Sequence, residues 1–250
     1  MFAARQQFNY QSAPSGTIWG NNMFFPTNSN QFISKAGTTN LVTWKATTGF
    51  TIEYWGYWTQ FGNTINGGPG NQDGAGTNYW SFGPKTGGSL EFYYWGSGQQ
   101  YFTTNISAVP LNTWTNVCAV FTTSGSTATA SLYVNGVRQQ IQWNNTGTYT
   151  DTKSVTNGIV STGTVFGMGK YGGSYIGGYI NNLRVSNVNR YSGASYTLAT
   201  SSFVSDANTQ ILIEPTGSPG TTIPYTGAVS GNMTNASNLV TVTTTRADHT

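Results

Sequence analysis

Gly177-Gly178-Tyr179-Ile180-Asn181-Asn182-Leu183-Arg184-Val185-Ser186-Asn187-Val188-Asn189-Arg190-Tyr191 carries the densest structural information in this chain. Tyr, Ile, Leu and Val recur over ten residues that begin with two glycines. The stretch then breaks into a polar turn that closes on Arg190-Tyr191. β-branched and aromatic residues bounded by Gly and Asn clusters read as a strand, here 178–186.

The same pattern recurs outward in both directions. Runs rich in Val, Ile, Thr and aromatics alternate with turn clusters, and no window keeps apolar residues at helical spacing. Strands are predicted at 41–45, 50–58, 78–82, 89–95, 100–103, 114–122, 128–135, 137–142, 163–168, 178–186, 209–213 and 238–245. Many short strands at this spacing indicate a sandwich or barrel. Asn135-Gly136, between Leu132-Tyr133-Val134 and Val137-Arg138-Gln139, supplies the two positive-φ positions of a type I′ hairpin. Period-two alternation places Phe50, Ile52 and Tyr54 on one face of their strand and Thr51, Glu53 and Trp55 on the other. Val117, Ala119 and Phe121 share a face, as do Leu132 and Val134, and these apolar sets form the expected core. Loops 62–76 and 144–162 are long and rich in Gly, Asn and Thr, and loops of a rigid sandwich commonly carry function.

Four segments, in this order, resemble the concanavalin A/laminin-G-like jelly roll in the form common in phage virion proteins. Gly49-Phe50-Thr51-Ile52-Glu53-Tyr54-Trp55 is similar to its first core strand. Trp114-Thr115-Asn116-Val117-Cys118-Ala119, followed by Leu132-Tyr133-Val134-Asn135-Gly136, is similar to its central hairpin. The opening stretch resembles its closing strand. Asp206-Ala207-Asn208-Thr209-Gln210-Ile211-Leu212-Ile213, with Phe203, resembles the returning strand of viral copies. The resemblance spans residues 30–213 and implies an all-β fold, a two-sheet antiparallel jelly-roll sandwich. Residues 1–250 are expected to form a single domain, with an N-terminal arm over 1–30 and a tail over 216–250 that adds one strand. In many relatives the strand like Gln210–Ile213 and the turn like Ser230-Gly231-Asn232 come first. Here they come last, as in a permuted chain that closes its sandwich with C-terminal strands.

Composition narrows the function classes. Charged residues are 7% of the 250, against roughly 25% in ordinary soluble domains. Mean hydropathy is nevertheless −0.30, because hydroxyls and amides supply the polarity. Little like-charge repulsion opposes self-association in such a chain. Net charge is +3, with no run of Lys or Arg, so a nucleic-acid partner is not expected. No apolar run approaches the roughly 20 residues of a membrane helix, and Met1-Phe2-Ala3-Ala4-Arg5-Gln6-Gln7 lacks a signal-peptide core. Synthesis in a host cytoplasm, without insertion in a membrane, is the expectation. The single cysteine, Cys118, excludes an intrachain disulfide.

Candidate chemistry is sparse. Glycosidases on this fold cluster carboxylates on one strand. The only glutamates, Glu53, Glu91 and Glu214, have no acid within five residues, so no catalytic residue is assigned. His249, near the chain end, lacks the rigid setting a triad base needs, and Cys118 reads as a small packed hydrophobe. If strands 50–58 and 89–95 run side by side, Glu53, Trp55 and Tyr57 together with Glu91, Tyr93 and Trp95 would line one concave sheet. Rings that stack on sugars and acids that bind hydroxyls would make that face a carbohydrate site. Trp58, Tyr79, Trp80, Tyr171 and Tyr175 are candidate interface anchors, since aromatics are enriched at interface centres. Calcium, common at the loop rim of this family, would need Asp73, Asp151 or Asp206. These are scattered, and Asn181-Asn182 stands where relatives often carry acids, so no metal or cofactor is expected. The resemblance implies a non-catalytic virion structural protein, a capsid decoration or a tail-fibre or appendage subunit of a phage or virus. Its partners would be other virion proteins, copies of itself and host surface glycans. A freestanding carbohydrate-binding module is the rival reading, and a glycoside hydrolase a third.

Overall fold

The computed structural model describes residues 22–25, 33–36, 49–62, 68–71, 80–95, 99–125, 127–156, 165–168, 170–171, 174–175, 177–213, 223–227, 231–235 and 241–243. β1 (Asn22–Phe25) and β2 (Ile33–Ala36) precede the long β3 (Phe50–Gln60). β4 (Gly70–Asn71), β5 (Trp80–Lys85), β6 (Ser89–Trp95) and β7 (Gln99–Thr104) follow, with a 3-10 turn at Thr86–Gly88. β8 (Trp114–Ser124), β9 (Thr127–Val134), β10 (Val137–Gln139), β11 (Ile141–Trp143), β12 (Thr146–Thr150) and β13 (Lys153–Thr156) make up the middle of the chain. β14 (Val165–Met168), β15 (Lys170–Tyr171), β16 (Ser174–Tyr175) and β17 (Gly177–Ser186) lead to β18 (Thr209–Ile213). β19 (Ile223–Gly227), β20 (Gly231–Asn235) and β21 (Thr241–Thr243) close the sequence of strands.

These strands build two large antiparallel sheets, apart from β15 and β16, which pair with each other as a two-stranded ribbon. In the first, β9, β8, β3 and β17 lie side by side. β10 and β13 share the far edge of β9. On the other side, β17 pairs with β1 along its first half and β18 along its second, and β21 and β19 extend those rows. The second sheet runs β12-β11-β7-β6-β5-β4-β14-β2. β20 pairs with β19 of the first sheet and β2 of the second, and so joins them. The C-terminal strands therefore close the sandwich, as the permuted order of motifs predicts.

The core is the alternate face of each strand. Phe50, Ile52 and Tyr54 meet Val117, Ala119, Phe121, Leu132 and Val134 of the same sheet and Leu90, Phe92 and Phe102 of the other. Phe92 and Phe121 meet edge to face across the sandwich at 4.6 Å, and Trp80 stacks on Phe92 at 5.7 Å. Such contacts add about 0.5–1.5 kcal/mol each beyond burial. Asn135 and Gly136 have φ of 48° and 76°, the predicted type I′ turn.

Several expectations are corrected. Residues 22–25, assigned to the arm, form β1, because β17 offers that segment an unpaired edge. Residues 146–150 and 153–156, assigned to a loop, form β12 and β13; Thr and Tyr pair well even in a glycine-rich sequence. The strand predicted at 137–142 divides at Gln140, β10 staying in the first sheet and β11 entering the second. The tail contributes three strands, where one was expected. The strand expected at 41–45 lies outside the described residues.

Candidate functional site

The Glu53 and Glu91 strands do not adjoin. β3 is central in the first sheet and pairs with β8 and β17, while β6 is central in the second and pairs with β5 and β7. Both glutamates face away from the core. They therefore lie on the outer faces of different sheets, and the single six-residue concave site is not formed.

The outer face of the first sheet is closed. After β17 the irregular segment 187–208 crosses back over it as a strap. Arg184, cross-strand to Glu53, donates from Nε and Nη2 to Glu53 Oε1 at 2.9 and 2.6 Å. Tyr191 of the strap donates its hydroxyl to Glu53 Oε2 at 2.8 Å. Trp55 is buried against Phe203 and Leu212, and Tyr57 packs between Trp114 and Tyr179. Tyr196 stacks on Tyr191 at 3.7 Å and donates to Asn116 Oδ1 at 2.6 Å. Tyr133 donates to the carbonyl of Gly193 at 2.9 Å. Arg190 anchors the return through Asp206 at 2.9 and 2.8 Å. Beneath the strap, burial pushes the Cys118 thiol well above its usual value, and the Glu53 charge adds to that. Burial likewise raises the Tyr191 and Tyr196 hydroxyls. Glu53 and Trp55 thus hold the strap in place, while Tyr57 lies half-buried between rings of β8 and β17 beside it.

The outer face of the second sheet holds a cleft of about 620 Å³, within the range of roughly 300–1,000 Å³ usual for ligand sites. Glu91 and Tyr93 come from β6, Lys85 from β5, Gln99 and Tyr101 from β7, with Thr86 and Asn145 at the rim. Lys85 Nζ donates to Glu91 Oε2 at 2.6 Å, and the Thr103 hydroxyl donates to the same oxygen at 3.3 Å. The Lys85 ammonium also sits 5.1 Å from the centre of the Tyr101 ring. Asn144 and Asn145 form a second left-handed turn, with φ of 50° and 52°. Asn144 is engaged in holding that turn: Oδ1 accepts from Tyr101 N at 2.9 Å and Nδ2 donates to Gln100 Oε1 at 2.9 Å. Its neighbour Asn145 is thereby presented, exposed, at the cleft.

Of the expected sugar-face residues the cleft contains Glu91 and Tyr93; Lys85, Thr86, Gln99, Tyr101 and Asn145 are not among those expected from the sequence. Alternation along 99–104 opposite 89–95 could have found Tyr101; the Asn145 turn is reachable only from the tertiary pairing of β11 with β7. The Trp95 side chain lies outside the described residues. Trp58 and Trp80, expected at an interface, are core residues at 1% and 0% exposure. Each lies on the inward-facing register of its strand, Trp58 in step with Ile52 and Tyr54, and Trp80 in step with Phe82. Tyr79 and the side chains of Tyr171 and Tyr175 lie outside the described residues. Of the proposed calcium donors, Asp206 is engaged by Arg190, whose hydrogen bonds hold its carboxyl below the usual carboxylate range. Asp151 pairs with Arg138 at 3.3 Å, and Asp73 lies outside the described residues. No cluster of three metal-ligating side chains occurs among the described residues. Asn182 has φ of 45° at a bulge where β17 slips against β3, and its side chain bonds Asn181. Asn tolerates the left-handed region, which accounts for its place in the opening stretch.

Two antiparallel sheets, a polar-aromatic cleft on one outer face and a strap over the other define a lectin-like β-sandwich. The sequence profile described as "Concanavalin A-like lectin/glucanases superfamily" (Laminin_G_3) matches residues 28–192, and the chain belongs to that family. No curated protein sequence matches the chain. Among solved structures, a candidate carbohydrate binding protein from Bacteroides ovatus is 19% identical with a TM-score of 0.55, over 90% of this chain and 60% of that one. A heptameric SAP-like pentraxin from Limulus polyphemus is 17% identical with a TM-score of 0.46, over 70% of this chain and 79% of that one. The CBM40 of a Ruminococcus gnavus sialidase, solved with α2,3 sialyllactose, is 11% identical with a TM-score of 0.45, over 68% and 93%. At 19% identity the likeness to the Bacteroides ovatus protein is one of fold.

Proposed function

We propose that this domain is a non-catalytic glycan-binding module whose ligand occupies the outer cleft of the second sheet. The observation that carries this reading is the cleft itself: the partly exposed Tyr101 ring beside the exposed amides of Gln99 and Asn145, with the buried Tyr93 ring backing them, on a rigid sheet. Aromatic faces cover the apolar side of a sugar ring, and amides answer its hydroxyls. Glycoside hydrolysis needs two carboxyl groups flanking the bond, and Glu91 is the only carboxylate lining the cleft among the described residues. Glycan-array binding by the isolated domain tests the reading. Tyr101→Ala is expected to weaken the signal about two- to tenfold, since an aromatic contact contributes roughly 0.5–1.5 kcal/mol beyond the area it buries. An array without binding would remove it.

A second reading places the same module on a phage or virus particle, as a surface subunit that meets host glycans. The low charge of the chain and the resemblance of its four motifs to virion proteins support it. Mass spectrometry of purified particles tests it: hundreds of copies indicate a capsid role, a few to a few dozen a tail role, and absence removes the reading.

A further inference from the structure

From the ion pair in the cleft floor we infer that the site selects neutral glycans and rejects acidic ones. The inference rests on the glycan-binding reading above. Lys85 is the only cation lining the cleft among the described residues. Its ammonium lies 2.6 Å from Glu91 Oε2, and the side chains of the pair are 17% and 2% exposed. Drawing the ammonium away from a carboxylate so deeply buried towards a ligand is costly, because the close pair offsets the desolvation of both charges. Thr103 fixes the same oxygen and Tyr101 lies against the ammonium, so β7 holds both members of the pair. The remaining polar groups lining the cleft among the described residues, the amides of Gln99 and Asn145 and the hydroxyls of Thr86, Tyr93 and Tyr101, are neutral donors and acceptors. A sialic acid, uronic acid or sulfated sugar would bring an anion to a site whose one positive charge is already matched by Glu91. A neutral hexose or hexosamine chain would find hydroxyl partners and a ring face.

The pair also gives a way to convert specificity. Glu91→Gln keeps the shape and hydrogen-bonding reach of the side chain but releases the ammonium of Lys85 to the ligand. The test is a glycan array on wild-type protein and Glu91→Gln, holding neutral, sialylated, uronic and sulfated glycans, with affinities of the hits measured by calorimetry at low and physiological salt. Wild type should bind neutral glycans at least about tenfold more tightly than their acidic counterparts, because an unpaired charge against a buried carboxylate is unfavourable. Glu91→Gln should raise the ratio of acidic to neutral affinity about tenfold or more, with a salt dependence of acidic binding that neutral binding lacks. Equal or tighter wild-type binding of acidic glycans would overturn the inference and leave the glycan-binding reading standing. The inference is equally overturned if Glu91→Gln retains neutral binding and gains nothing acidic. Absence of all wild-type binding would remove both. Circular dichroism and a melting curve show whether the variant is folded. If it is not, the wild-type affinities decide: the preference for neutral over acidic glycans should persist at low salt, and its reversal there would contradict the inference.

Discussion

Glu53 and Glu91 sit at the same point of similar sequences, Thr-Ile-Glu-Tyr-Trp and Ser-Leu-Glu-Phe-Tyr, yet they do different work. Each faces away from the core, as alternation predicts. What alternation cannot show is which outer face stays open, and that is decided by Arg184, Tyr191 and Phe203, more than 130 residues beyond Glu53. Arg184 lies 4.5 Å from the Phe203 ring while it holds Glu53. Arg184→Met is therefore expected to cost about 3 kcal/mol, the usual penalty for stranding one member of a buried pair. Chemical denaturation would read that loss, and glycan affinity should stay unchanged. Cys118 provides a second residue-scale check. Fully buried and with its thiol pushed up, it should resist alkylation at about pH 8 in the native protein and react fully in guanidinium. Fast native labelling would mean that the strap is not closed over β8.

At the scale of elements, the opening stretch is legible for a reason. Its glycines, its bulge and its Arg-Tyr ending all serve one construction, the strand and the strap that returns over it. Gly178 has φ of 137°, and a Cβ there would run into the Tyr57 carbonyl of the adjacent strand. Gly178→Ala should lower stability by at least about 2 kcal/mol, opposite in sign to the roughly 0.5–1 kcal/mol gained when Ala replaces an unstrained glycine. The strap has its own acid signature. Asp206 is held below the usual carboxylate range by Arg190, so its contribution is complete above about pH 4, the unfolded value, and is lost as pH falls towards the folded value. Asp206→Asn should melt earlier than wild type at about pH 7 and show a shallower loss between about pH 4 and pH 2; parallel curves would contradict the assignment. The core strands and the Asn135-Gly136 hairpin could be read from alternation and turn chemistry alone. The edge elements could not. β1, β12, β19 and β21 take strand form because a neighbour offers an unpaired edge, and for β1 and β21 that neighbour is distant in sequence. The edges also carry their own protection: a bulge with Gly147 at φ of 73° in β12, Lys153 in β13, and the strap bonding Arg138 N from Ala194 O beside β10.

For the whole molecule, sparse charge and two differently finished outer faces point the same way. One face is sealed by aromatic stacking and a buried ion pair, and serves stability. The other carries the cleft of Lys85, Glu91, Tyr101 and Asn145, the face to which we assign recognition. The C-terminal strands belong to this plan because β20 ties the sheets together. A chain ending at Ile213 would lose that tie and expose the edges of β18 and β2. It is expected to unfold at lower denaturant concentration and to associate, which sedimentation velocity would show. The most direct test of the glycan site is amide chemical-shift mapping with a neutral oligosaccharide identified on the array. Saturable shifts are expected at Lys85, Glu91, Tyr101 and Asn145, with Glu53, Trp55 and the strap unmoved. Shifts centred on the strap face, with the cleft of the second sheet silent, would contradict that site.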